Sequence, residues 1–248
     1  MAADAHRARS GPVVIVLTGS ESTGKSTLAV RLAEHFNAPL SHEFARAYVH
    51  GHHRELMGHD VDPIARGQVA LEDAAHARAV DTSGPLVLKD TDLISTVVYA
   101  RHYHGHCPHW VMHAAKARRG HLYLHLGTDV PWVADHLQRT SPAAREHLHR
   151  LFVSTLLEFE VHAVDITGTW REREASAIAA IHAACPNTHL VMHGSSSVPP
   201  ELVEHSTKVP KLLLGDLDAS VWQYDPTSIR RYLDNVLPGK PCEGSSLQ

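Results

Sequence analysis

Short runs of apolar residues alternate along the chain with longer stretches whose apolar positions recur every three or four residues. Val13–Leu17 precedes Leu28–Phe36, Leu86–Leu88 precedes Leu93–Tyr103, and Leu122–Leu126 precedes Val130–Leu137. A run apolar on consecutive residues suits a strand buried on both faces, and the helical period that follows suits its crossover helix. The rhythm therefore predicts βαβ units and a parallel sheet. Two further strands complete it: His162–Ile166, followed by Gly168 and a helix over Glu172–Ala184, and a short one over Ala38–Ser41 leading into Phe44–Val49. About five parallel strands covered by helices result. Helix starts are legible at Asp62-Pro63 and Ser141-Pro142, where a capping side chain precedes a proline placed for the first helical position.

From about Asn187 the pattern fades, Gly194–Pro200 is rich in Ser and Pro, and Pro238–Gln248 has few core-forming residues. The expected organisation is a disordered tail over 1–11, one α/β domain over 12–185, and an extension over 186–248, partly disordered and of unknown role. A length of 248 residues suits one such domain with an appendage.

Composition narrows the partner. Lys and Arg number 23 against 27 Asp and Glu, a formal charge of −4, so no global basic field recruits nucleic acid or an anionic membrane. No stretch approaches the roughly 18 apolar residues of a membrane span, and the N-terminus lacks an apolar leader core. Cys107, Cys185 and Cys242 lie far apart without a CxxC pair, which fits a reduced, cytoplasmic setting. A small-molecule partner is expected.

The chemistry begins at Gly19-Ser20-Glu21-Ser22-Thr23-Gly24-Lys25-Ser26, which satisfies GxxxxGK[ST] between a predicted strand and a predicted helix. Glycines let backbone N–H groups curl around phosphate oxygens, and the helix that follows turns its unsatisfied donors toward the anion. The cradle is Gly19, Ser20, Glu21, Ser22, Thr23, Gly24, Lys25, Ser26 and Thr27, with Lys25 on the β and γ phosphates and Ser26 on Mg²⁺. This predicts a P-loop α/β fold that binds ATP. No NKxD guanine-reading segment accompanies it.

Lys89-Asp90-Thr91-Asp92 closes the strand Pro85–Leu88 and sets two carboxylates at the sheet's carboxyl edge, where open α/β folds bind ligands. Asp90 is the candidate Mg²⁺ carboxylate, although Lys89 stands where an apolar residue is usual. Asp92 reads either as an acceptor-side acid or as a plain helix cap. Glu43, followed by Arg46 and Tyr48, reads either as a general base or as a first-turn acid. Arg139 and Arg145, in a predicted interhelical loop, read as a lid carrying positive charge to the γ phosphate or as solvated arginines.

Taken in order, Gly19–Thr27, Glu43–Tyr48, Asp90-Thr91-Asp92, Asp129-Val130-Pro131-Trp132-Val133-Ala134-Asp135 and Arg139–Arg145 resemble the NadR-type nicotinamide riboside kinase domain over about residues 11–184. The resemblance implies an adenylate-kinase-like three-layer fold and transfer of the ATP γ phosphate to the ribosyl 5′-hydroxyl of nicotinamide riboside, giving nicotinamide mononucleotide. Bifunctional members carry an adenylyltransferase domain ahead of the kinase. Here only about ten residues precede the first strand and no HxGH motif occurs, so that activity is expected to be absent. Other relatives of that superfamily are only ATPases or nucleotide-binding proteins, which keeps a regulatory ATPase or GTPase module without an acceptor as the alternative.

Two features stand apart. Asn187–Pro199 resembles one strand and loop of class II fructose-bisphosphate aldolase, with His193 at a zinc-ligand position; the chain lacks the β/α barrel and the HxDHG segment, so no aldolase chemistry is expected. Histidine numbers 23, densest over His102, His104, His106, His109 and His113. That run reads as an exposed loop near the acceptor pocket, or as a metal site if two or three side chains converged.

Overall fold

The computed structural model describes residues 11–52, 54–82, 84–132 and 142–185. The expected tail before Gly11, residues 133–137 of one expected helix, Arg139 and the extension with His193 lie outside the described residues.

Five strands, β1 (Val13–Thr18), β2 (Leu40–Ser41), β3 (Leu86–Asp90), β4 (Leu122–Leu126) and β5 (Ala163–Ile166), pair in parallel in the order β2-β3-β1-β4-β5. Alternation along the strands explains the three layers. Ile15, Leu17, Leu86, Leu88, Leu122, Leu124 and Leu126 pack on α1 (Lys25–Phe36) and α7 (Trp170–Ala184). Val16 and Tyr123 point to the other face, with Ala65 of α3 (Val61–Asp81), Val97 of α4 (Leu93–His104), Val111 of α5 (His109–Ala117) and Leu156 of α6 (Pro142–Glu158). Because the strands are parallel, every β-to-α loop emerges at one edge, and that edge carries the candidate chemistry.

Two compact units divide the chain, residues 1–44 with 56–193 and residues 45–55 with 194–248. The first holds the sheet. The described part of the second holds most of α2 (Phe44–His52), in which the Tyr48 and His52 rings stack at 3.9 Å.

Several expectations are corrected. Helix α3 begins at Val61, one residue before Asp62, after a 3₁₀ turn over Gly58–Asp60 in which Asp60 accepts the Met57 N–H at 2.8 Å. Asp62 instead accepts from Arg66 one turn on and from the Trp110 indole at 2.7 Å. Val130–Trp132 is not helical. The histidine run is a loop only at its middle: His102 and His104 end α4, Gly105 closes it in the left-handed region, His106 lies exposed in the connection, and His109 and His113 lie on α5, whose Val111 and Ala115 are buried. Among the described residues no group of three or more His, Cys, Asp or Glu could hold a metal ion, and no helix is long and apolar enough to cross a membrane.

Candidate functional site

Residues Gly19–Gly24 join β1 to α1, which starts at Lys25. Gly24 precedes the helix at φ 84°, and a Cβ there would lie 2.1 Å from the Trp170 ring, so both conformation and space require glycine. No side chain caps α1 and its first turn holds no acid, the setting in which a helix N-terminus suits an anion. The loop is drawn inward on one carbonyl: Lys25 Nζ and Thr23 Oγ1 both donate to Ser20 O at 2.8 Å. Lys25 is only 8% exposed, and the buried Ser20 Oγ has no hydrogen-bond partner. Ser26 and Thr27 occupy the first helical turn.

Two arginines grip the loop by its backbone. Arg173, on α7, has no exposed surface; its Nη1 donates to Thr23 O at 3.1 Å, its Nη2 to Gly127 O at 3.1 Å and to the Asp129 carboxylate, and its Nε to Gly168 O at 2.9 Å. One side chain thus ties the phosphate loop to the loops after β4 and β5. Arg145 donates to Val130 O at 2.9 Å and to Ser22 O at 3.2 Å. The expectation of Arg145 in an interhelical loop is corrected here: it sits in the first turn of α6, buried, where carbonyls of two loops need donors.

The acidic edge is built from side chains. β3 continues through Asp90, which pairs in register with Leu17, and Thr91 N–H bonds Leu17 O at 3.0 Å, so Asp90 stands beside the entry to the phosphate loop. Asp92 is the N-cap of α4: Oδ1 accepts from Ile94 N at 3.0 Å and Oδ2 from the Tyr123 hydroxyl at 2.6 Å. Burial pushes its carboxyl above the usual range. Glu43, half-buried, follows β2 on the same edge. Lys89, out of place by pattern, points to α3 and donates to Glu72 at 2.7 Å; Arg118 reaches the same oxygen at 3.4 Å. Burial raises the Glu72 carboxyl, with Lys89 and Arg118 pulling the other way.

Sequence reasoning missed Arg173, Gln68, Glu72, Tyr123 and His125. Three carried a signal. Arg173 falls on the stripe with Ala177 and Ile181, and Gln68 and Glu72 fall on that of Ile64, Ala65, Ala75 and Ala79. A polar residue on an apolar stripe is one that the core must satisfy. His125, 1% exposed on β4, bonds Asp165 at 2.9 Å and stacks on His149 at 4.7 Å; nothing in its flanking sequence announces this.

A five-stranded parallel sheet with a glycine-lined loop between β1 and α1 defines a P-loop nucleotide-binding fold of the kind found in small-molecule kinases. A family model described as an AAA domain matches residues 14–173, and the chain belongs to that family. Over 157 residues it is 31% identical to the trifunctional NAD biosynthesis/regulator proteins NadR of Salmonella typhimurium and Escherichia coli, covering 61% of this chain and 37% of each relative. It thus spans little more than a third of their length. Among solved structures it resembles NadR protein in complex with NR (27% identity, TM-score 0.57, 71% of this chain and 52% of that one). It also resembles NadR protein with NAD and AMP-PNP (26%, TM-score 0.54, 74% and 52%). Thymidylate kinase from Ehrlichia chaffeensis, at 12% identity, TM-score 0.52 and coverage of 69% and 99%, shares the fold.

Proposed function

We propose that the chain transfers the γ phosphate of ATP to the 5′-hydroxyl of nicotinamide riboside, giving nicotinamide mononucleotide and ADP. The observation that carries this reading is the 31% identity over 157 residues to proteins named for NAD biosynthesis, together with the likeness to a NadR protein solved with NR. The loop geometry supports the ATP half, with Lys25 moving from Ser20 O to the β and γ phosphates. Ser26 and Asp90 offer a hydroxyl and a carboxylate, oxygen donors of the type Mg²⁺ takes, and would hold that ion. When bound it supplies neutralisation of the phosphate charge.

Glu43 takes the 5′-hydroxyl proton as that oxygen bonds the γ phosphorus and the bond to the β,γ-bridging oxygen breaks. What favours Glu43 over Asp92 is access: Glu43 is half-buried, whereas Asp92 is 3% exposed and caps α4. Arg145 acts here by holding Ser22 O; Arg139 keeps its proposed role of meeting the γ phosphate.

The test is ADP formation and product mass with ATP, Mg²⁺ and a panel of nucleosides. Nicotinamide riboside is expected to raise turnover far above hydrolysis and to gain one phosphate. Hydrolysis unchanged by every acceptor would defeat this reading in favour of a regulatory nucleotide-binding module. Glu43→Gln is expected to suppress transfer more than it weakens ATP binding; the reverse order would return the base to Asp92.

A further inference from the structure

Gln68 and Glu72 lie one turn apart on the inner face of α3, 2% and 1% exposed. Each uses half of its head group. Gln68 Oε1 accepts the Phe44 N–H at 2.9 Å, while its Nε2 donor, buried with it, meets no acceptor. Glu72 Oε2 takes Lys89 and Arg118, while Oε1 meets no donor. Leaving such atoms unpaired in the interior costs about as much as a lost hydrogen bond, so each implies a partner. Their positions say where it sits. The Gln68 amide is bonded to the residue after Glu43, and the Glu72 carboxylate to the residue before Asp90, so both head groups lie near the ends of β2 and β3 that carry the candidate acids.

We propose that Gln68 and Glu72 form a donor–acceptor pair that reads a primary carboxamide on the acceptor, Gln68 Nε2 donating to the amide oxygen and the amide nitrogen donating to Glu72 Oε1. This rests on the reading of the chain as a nucleoside kinase, and it names the determinant of acceptor choice. Residues at i and i+4 share a helix face with Cβ atoms about 6 Å apart, a spacing that lets two head groups flank one small planar group. A carboxamide presents one acceptor and one donor at its two ends. A carboxylate presents two acceptors, so one end would meet Glu72 Oε1 with no proton between them and with like charge added. The pair therefore selects the amide-bearing riboside over its acid counterpart.

The experiment compares kcat/KM for nicotinamide riboside and nicotinic acid riboside in the wild-type protein, Gln68→Glu and Glu72→Gln, with thermal unfolding and ATP binding as integrity controls. Gln68→Glu keeps an oxygen for the Phe44 N–H but puts a second carboxylate oxygen where the donor was, so it removes the proposed hydrogen bond to the amide and adds negative charge beside Glu72. The wild type is expected to prefer the amide by about 10⁴-fold, in keeping with sites whose buried polar groups a wrong substrate leaves unpaired. Each variant is expected to lower that preference at least tenfold, chiefly through KM for the amide. A preference that falls less than about tenfold in either folded variant overturns the proposal and leaves the two atoms to buried water; the kinase reading then stands. If the wild type phosphorylates neither riboside, the kinase reading falls first and the carboxamide pair with it. Should Glu72→Gln fail to fold, Gln68→Glu decides alone.

Discussion

The phosphate loop and the proposed acceptor end of this edge are made by different means. At the phosphate end the working groups are backbone N–H donors, shaped by Gly19 and Gly24 and held from behind by Arg173 and Arg145 through main-chain carbonyls. At the proposed acceptor end they are side chains from α3, β3, β4 and the caps of α4 and α5 that bond one another: Glu72 with Lys89 and Arg118, and Asp92 with Tyr123. The first design fixes a shape that any triphosphate fits. The second fixes particular hydrogen-bond partners, which is how a site comes to prefer one acceptor over another.

Substitutions can break this contrast. The largest effect is expected from Lys25→Ala, which removes the charge meeting the phosphates and should lower kcat/KM about 1,000-fold with the circular dichroism spectrum unchanged. Activity within about threefold of wild type would contradict the loop's assigned role.

Next in size is Arg173→Ala. It strands three carbonyls and one carboxylate, and denaturant unfolding should report a loss of about 3 kcal/mol, discounted from the fully buried case because Asp129 is 40% exposed. ATP affinity should fall alongside stability, since Thr23 O loses its support. Stability falling while ATP affinity holds would show that the clamp serves the fold alone.

At the acceptor end, Lys89→Met leaves Glu72 with Arg118 as its nearest charge partner and should cost about 2 kcal/mol. Lys89→Met combined with Glu72→Leu should recover part of that loss, because removing both charges avoids an uncompensated carboxylate. A double variant less stable than either single one would mean that the network is held by packing rather than charge.

The smallest effect concerns pH. Burial lowers the pKa of His125 despite Asp165 beside it, and burial likewise lowers His42. The unfolded chain then binds protons near pH 6.5 that the folded chain resists, so stability is fully present above that pH and declines as pH falls toward the lowered folded values. Thermal unfolding from pH 7.5 to 5.5 should show the decline, and His125→Asn should flatten it. An equal slope in the variant would move the effect to other histidines.

How much could be read beforehand follows the same division. The strands of the central sheet, the loop from Gly19 and the start of α6 at Pro142 depend on local pattern, and the pattern delimits Leu122–Leu126 to the residue. Elements whose ends depend on tertiary partners were not. Helix α5 hides behind five histidines and a proline because only Val111 and Ala115 are buried in it, too few to set a period. Arg145 was misplaced because its reason for being there, two carbonyls at Ser22 and Val130, comes from residues 15 and 123 positions away. Lys89 read as an anomaly in a strand. Its explanation, Glu72, lies on another element and belongs to no motif.

Trp170 gives the loop an optical property. Its indole closes over Gly24 and is still 47% exposed, so its emission depends on both the loop backbone and the solvent at that spot. Any rearrangement of the loop around a triphosphate changes that surrounding. Intrinsic fluorescence therefore reports loop occupancy without a label or a coupled enzyme, and Trp170→Phe supplies the blank against the other three tryptophans, Trp110, Trp132 and Trp222.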